Sequence, residues 1–174
     1  MSPEVLDTNV LTIGSAPLAG WVHPRIPLAE KILVQKVFQW LRTFREDPTR
    51  HLVMDDEQTI LAEYKSRGNM PEFMLYGRQV VQHKISTGAT RWVTLAYWAN
   101  GDERVARLPR EVETLLHDLG DRKMVAAAAA ARAPIVNACD SDWTHENERR
   151  ALELMGVRVV QILTDEERDD CRGA

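Results

Sequence analysis

Cysteine is almost absent from this chain: Cys139 and Cys171 are the only two, and no Cys-x-x-Cys pair occurs. That argues against a disulfide framework or a thiolate zinc site and suits a reducing cytosol. Long apolar runs are missing too. The longest, residues 124–131, is Ala-rich and much too short to span a bilayer, so no membrane partner is expected. The opening residues have neither the basic head nor the apolar stretch of a secretion signal, which makes a cytoplasmic location the expectation. Basic charge is not in excess: 22 Lys and Arg stand against 26 Asp and Glu, a net charge of −4. No global field draws the chain to nucleic acid, so a phosphate-rich partner must be held by local basic patches or by a bound cation. The five histidines never fall at His-x-x-x-His spacing, which speaks against zinc.

What is present suits one globular domain. The chain has 174 residues, 44% of them apolar and 28% charged, enough to bury one real core and too few for two. The expected domain covers 1–164, with a frayed, charged tail over 165–174.

Helical and strand patterns alternate. Residues 4–6 form a short apolar strand ending near Asp7, with a loop expected after it. Residues 14–27 hold three Pro and two Gly and read as irregular. Residues 28–44 place Ile32, Leu33, Val37, Phe38, Trp40, Leu41 and Phe44 at steps of three and four, an amphipathic helix. Residues 51–54 read as a second strand ending in Asp55-Asp56, acids suited to starting the helix 55–65. A helix over 72–85 follows. Residues 87–109 have no clean period and leave helix and strand open. A short helix is expected over 110–117 and a strong one over 121–132, where six consecutive Ala lose little side-chain entropy. A buried strand at 134–138, a helix at 144–155 closed by Gly156 and a last strand at 157–163 complete the pattern. Such alternation predicts an α/β fold whose parallel sheet is covered on both faces.

In an open parallel sheet, ligands bind beyond the carboxyl ends of the strands. Asp7 follows the first strand there, and Asp140 and Asp142 follow the strand at 134–138. Asp121 opens the Ala-rich helix, and Glu63 projects from the helix after the second strand. Carboxylates gathered without Lys or Arg between them repel unless a hard cation neutralises them. Mg²⁺ or Mn²⁺, which prefer oxygen ligands, fit that need. Such an ion lowers the pKa of a bound water and offsets charge building on a phosphodiester.

Four segments then carry a resemblance: Leu-Asp-Thr-Asn-Val at 6–10, Ile-Leu-Ala-Glu-Tyr at 60–64, Asp-Arg-Lys-Met-Val-Ala-Ala-Ala at 121–128 and Asn-Ala-Cys-Asp-Ser-Asp-Trp at 137–143. In this order, spanning almost the whole chain, they resemble the PIN domain family. The resemblance implies a three-layer α/β/α Rossmann-like fold with a parallel sheet of four to five strands. It also implies Mg²⁺- or Mn²⁺-dependent ribonuclease activity, often as a VapC-type toxin paired with an antitoxin protein, and a possible homodimer. Matched position by position, the acids are Asp7, Glu63, Asp121 and Asp140, Asp142 or both, as catalytic and metal-ligating residues. Thr8 and Asn9 match the polar neighbours of the first Asp, and Asn137 replaces the strand-end Thr; these three are candidates for substrate contact. The helix 28–44, the loop before it and the segment 91–98 make the chain longer than a minimal toxin.

Plainer roles compete at each position. Asp7 before Thr-Asn suits a turn, a helical Glu63 suits solvent, and Asp121 near a helix start is favoured by the macrodipole. Asp118 reads as structural, Asp55 and Asp56 as helix-start acids, His145 as an exposed helix start. Trp40 reads as core, and Trp143 packs under the site. Lys65, Arg67, Arg78, Lys84, Arg91, Arg122, Lys123, Arg149 and Arg150 line a phosphate path or are simply solvated. A haloacid dehalogenase-type phosphatase also begins with a strand-end Asp, but its general acid would stand where Asn9 is. A catalytically silent binding or regulatory module is the non-enzymatic alternative.

Overall fold

The computed structural model describes residues 1–18, 31–66, 75–100, 103–164 and 166–167. Its elements are β1 (Ser2–Leu6), α1 (Thr8–Ser15), α2 (Lys31–Glu46), β2 (Arg50–Asp55), α3 (Thr59–Ser66), α4 (Leu75–Ser86), β3 (Thr90–Val93), β4 (Tyr97–Asn100), β5 (Glu103–Ala106), α5 (Arg110–Leu115), α6 (Leu119–Ala131), β6 (Ile135–Asn137), α7 (Glu146–Met155) and β7 (Val159–Gln161). Five strands form one sheet in the order β3-β2-β1-β6-β7, every neighbouring pair parallel. Helices α1, α2 and α4 pack together, while α6 lies along β1, β2, β3 and β6 with α7 beside it. The result is a three-layer α/β/α Rossmann-like fold, as expected. The central strands show why: Val5, Leu6, Leu52, Val53, Met54 and Ile135 are fully buried, the unbroken apolar character of strands covered on both faces. Among the described residues no helix is long and apolar enough to cross a membrane.

The sheet reverses direction between β1 and β6. From β1 the chain winds outward to β2 and β3, then returns to β6 and β7 on the other side. In open α/β sheets such a switch point is where ligands bind, outside the carboxyl ends of the strands.

Several expectations are corrected here. The segment after Asp7 is a helix rather than a loop, because the Asp7 carboxylate caps it by accepting the Asn9 N–H. Gly14 and Ser15 belong to that helix, and the expected irregular stretch beyond 18 falls on residues 19–30, outside the described residues. Ile32 is 80% exposed and leaves the apolar stripe of α2, whose buried face is Leu33, Val34, Val37, Leu41 and Phe44. Trp40 is only partly buried, with the Arg50 guanidinium 4.5 Å above its ring. Helix α3 starts at Thr59, four residues later than expected. Asp55 caps it from the end of β2, accepting from Thr59 N at 2.9 Å and Ile60 N at 2.8 Å. The expected start of α4 at 72 lies outside the described residues. The ambiguous stretch 87–109 resolves into β3, an edge strand of the main sheet, and a separate β4–β5 hairpin. Tyr97 ties that hairpin to β2 and α3 by donating to Asp55 Oδ2 at 3.0 Å and bonding Thr59 Oγ1 at 2.7 Å. The last strand is shorter than expected, and within the charged tail Glu167 pairs with Lys36 at 2.7 Å.

The close approach of α4 to α1 depends on Gly77. A Cβ on Gly77 of α4 would lie 2.8 Å from both the Cβ and the carbonyl oxygen of Leu11 in α1, and the Gly77 N–H donates to Ser15 Oγ at 2.7 Å. Because backbone cannot yield, Gly77→Ala is expected to cost about 1–3 kcal/mol, read as a lower midpoint in urea with an unchanged slope.

Candidate active site

The switch point between β1 and β6 carries Asp7 and Asn137 at its strand ends, while Glu63 and Asp121 stand on α3 and α6. Asp7 leaves β1 with its N–H bonded to Val136 of β6 at 2.9 Å, so strand pairing itself positions the carboxylate. Its Oδ1 accepts from Asn9 N at 3.0 Å and Asn9 Nδ2 at 2.7 Å. Its Oδ2 accepts from Trp143 Nε1 at 2.6 Å. Only 8% of Asp7 is exposed. Burial pushes its pKa up to about 6; the Asn9 and Trp143 bonds oppose this, and the charges of Asp140 and Glu63 add to it.

Asn137 organises the neighbouring strand end. Wholly buried, it accepts from Asn9 Nδ2 at 2.8 Å and from Asp140 N at 3.1 Å, and donates to Asp140 O at 2.7 Å and Gln161 Oε1 at 2.8 Å. The Asn9 carbonyl in turn accepts from Ala138 N at 2.9 Å. Thr8, 3% exposed, donates to Glu63 Oε1 at 2.9 Å. Of the three residues nominated for substrate contact, Thr8 bonds Glu63, while Asn9 bonds Asp7 and Asn137, and Asn137 holds the Asp140 backbone. A strand-end Asn supplies two donors and an acceptor where a Thr would supply a single hydroxyl.

Asp121 stands in the first turn of α6, and Asp118 is the true cap, accepting from Gly120 N at 2.6 Å. The structural role expected of Asp118 is therefore present. Burial pushes the Asp121 pKa up to about 8, and the charges of Asp118, Asp7, Asp140 and Asp142 push the same way. Asp142 is also raised, by partial burial and then Asp140, with His145 opposing. Of the strand-end pair, Asp140 is the one whose charge acts on Asp7, while both act on Asp121. Asp140 Oδ1 accepts from Asp142 N at 3.1 Å, at the start of a 3-10 turn over Asp142–Thr144 that precedes α7.

Two features escape sequence reasoning. The acids are not free of cations, because Lys123 Nζ lies 2.6 Å from Glu63 Oε2. And Trp143, 3% exposed, bonds Asp7 rather than merely packing beneath it. Neither pair is close in sequence, so no local spacing announces it. Among the other nominated cations, Lys84 is buried and donates to Asp47 O and Arg50 O at 2.7 and 2.8 Å, and Arg122 donates to Leu116 O and Glu113 O at 3.1 and 2.6 Å. Both are committed to the fold. Arg67 lies outside the described residues.

Replacing the indole donor separates its role from packing. Trp143→Phe removes a bond that favours charged Asp7, so the Asp7 carboxyl is expected to titrate above 6, read by carbon-detected NMR. An unchanged or lower value would show that the indole does not set this carboxylate's acidity.

A cleft of about 710 Å³ adjoins the acids on the Glu63 side, between α3, the β4–β5 hairpin and the start of α6. Gln58, Glu63, Arg104, His117 and Lys123 are among its lining residues. Gln58 adopts a left-handed backbone (φ 59°) at its rim, a conformation that costs a non-glycine residue energy.

The donor set is oxygen-rich, as a hard divalent cation prefers, and Asp7, Asp121 and Asp142 are raised by burial first and by neighbouring carboxylates second. As the side chains stand, no three His, Cys, Asp or Glu residues among those described are close enough to hold a metal ion. No protein-family model and no curated protein matches the chain.

Proposed function

We propose that the chain is a Mg²⁺- or Mn²⁺-dependent ribonuclease that hydrolyses phosphodiester bonds of single-stranded RNA. The observation that supports this reading is that Asp7 and Asp140 follow β1 and β6 at the topological switch point, while Asp121 is pushed up to about 8 by burial and then by the charges of Asp118, Asp7, Asp140 and Asp142. Negative charge gathered at such cost is characteristic of functional sites. Asp7, Asp121 and Asp140 or Asp142 would hold the ion, whose contribution would be an acidified water and neutralised phosphate charge. Glu63, held by Thr8 and Lys123, would orient the attacking water. That water's oxygen bonds to phosphorus, the bond to the leaving nucleoside oxygen breaks, and a proton passes to that oxygen. RNA is the proposed partner. The PIN-like pattern of motifs also supports a toxin role, with an antitoxin protein as a second partner.

A second reading, a silent binding module, is favoured by one observation: Asp7 and Glu63 already have protein donors on their oxygens. Cleavage of a single-stranded RNA with Mg²⁺ or Mn²⁺, and its arrest by a chelator, separates the two. No cutting with either ion, or undiminished cutting in chelator, overturns the nuclease reading.

A further inference from the structure

The cleft beside Glu63 has a wall of its own. The β4–β5 hairpin stands apart from the main sheet, yet side chains fasten it to the β2–α3 connection. Tyr97 bonds Asp55 and Thr59, and Arg104 pairs with Glu57 at 2.6 Å. The same connection carries Gln58 in its left-handed backbone, a strain that persists only where the surroundings over-determine it. A wall held in this way is formed before any ligand arrives, which lowers the cost of binding one.

The charges of the cleft oppose a phosphate. Arg104 and Lys123 are each already paired with a carboxylate of the same cleft, Glu57 and Glu63, both at 2.6 Å. Asp118 adds a further acid to the lining. The cleft therefore has no surplus of positive charge with which to draw a phosphate. What it offers suits a flat, neutral group. Ala62, Val105 and Leu119 supply apolar lining and Gln58 an amide. The Arg104 guanidinium lies 5.3 Å from the centre of the Tyr97 ring. Held by that ring and by Glu57, it is a planar platform of the kind on which unpaired bases stack. A volume of about 710 Å³ has room for a base with its ribose.

We infer that this cleft takes one unpaired base of single-stranded RNA, stacked on the Arg104 guanidinium, while the backbone of the strand runs on toward the acids. This rests on the ribonuclease reading for the identity of the strand. It adds the part of the strand that is gripped and the residue that grips it.

Fluorescence anisotropy on the full chain in chelator tests it free of cleavage. The probes are a labelled single-stranded RNA octamer and an abasic octamer of the same length and charge. Wild type is expected to bind the RNA about fivefold or more tightly than the abasic strand. Arg104→Lys keeps the charge but lacks the plane, and is expected to lose that preference as fully as Arg104→Ala. Ala62→Trp, at an exposed position of α3, fills the cleft and should lose it too. Equal binding of the two strands by wild type, a preference retained by Arg104→Lys, or no binding of RNA overturns the inference. Each of these leaves the nuclease reading to its own cleavage assay. Base-dependent binding by a chain that cuts with neither ion overturns the nuclease reading alone.

Discussion

Asp7→Asn is expected to abolish Mg²⁺- or Mn²⁺-dependent cleavage of single-stranded RNA while leaving the chain folded. The loss should fall in the range of 10²–10⁴-fold, about what removal of one acid–base or electrostatic group usually costs. The substitution keeps size and shape, and the backbone bond to Val136 is untouched. It does not keep the hydrogen bonding intact. Asp7 accepts from three N–H groups, two of Asn9 and one of Trp143. An Asn there has one acceptor oxygen, so its own amide must face either Asn9 or the indole. That mismatch costs about 1–3 kcal/mol, partly offset because a buried charge also disappears. Gel-based cleavage with circular dichroism decides the matter: a folded variant that still cuts at the wild-type rate removes Asp7 from the chemistry.

Between pH 4 and 8 the metal-free protein is expected to lose stability as pH rises. The sign follows from the raised carboxyls Asp7, Asp121 and Asp142, of which the first two are raised to stated values. Asp7 titrates at about 6 and Asp121 at about 8 when folded, against 3.8 for the unfolded chain. Between 3.8 and those values the folded state binds more protons than the unfolded one, so stability falls with pH. It is fully present below 3.8 and lost as pH passes first about 6 and then about 8. The total is on the order of a few kcal/mol. Asp47 and Glu167 are lowered by their hydrogen bonds, so their influence falls at more acid pH. Thermal melts in chelator across this range measure the effect. Asp121→Asn should flatten the upper part, and Mn²⁺ should restore most of the loss at pH 8 by binding the folded state. A midpoint that rises from pH 4 to 8 in chelator would show that these acids are not the strained groups.

Elements governed by local rules were legible in the sequence. The Ala-rich helix, the strand before Asp140 and the Gly156 stop each depend on residues within a turn or two, and Gly156 does adopt the left-handed backbone (φ 63°) of a helix end. Asp55 is the helix-start acid its sequence position suggests, although it acts from the last residue of β2 and the helix begins four residues later. The stretch 87–109 was not legible because its three strands are short and depend on distant partners. Thr90–Val93 exists as a strand by pairing with β2, and Tyr97 holds its hairpin by reaching Asp55. The helix after Asp7 was missed because eight residues are too few to show a period, and its start depends on a cap rather than on a stripe.

The sequence by itself determined the alternation of helices and strands, and with it the parallel sheet whose carboxyl edge receives Asp7 and Asp140. Those outcomes follow from apolar periodicity and from short-range backbone chemistry, both written along the chain. Only the tertiary structure decided what each acid faces. The Asp7–Trp143 bond spans 136 residues, the Asn9–Asn137 bond 128, and the Lys123–Glu63 pair joins two helices on either side of the hairpin. Charge and hydrogen bonding act through space over a few ångströms. The partners that raise Asp121, hold Asp7 and neutralise Glu63 therefore exist only once the sheet has brought distant strand ends to one edge.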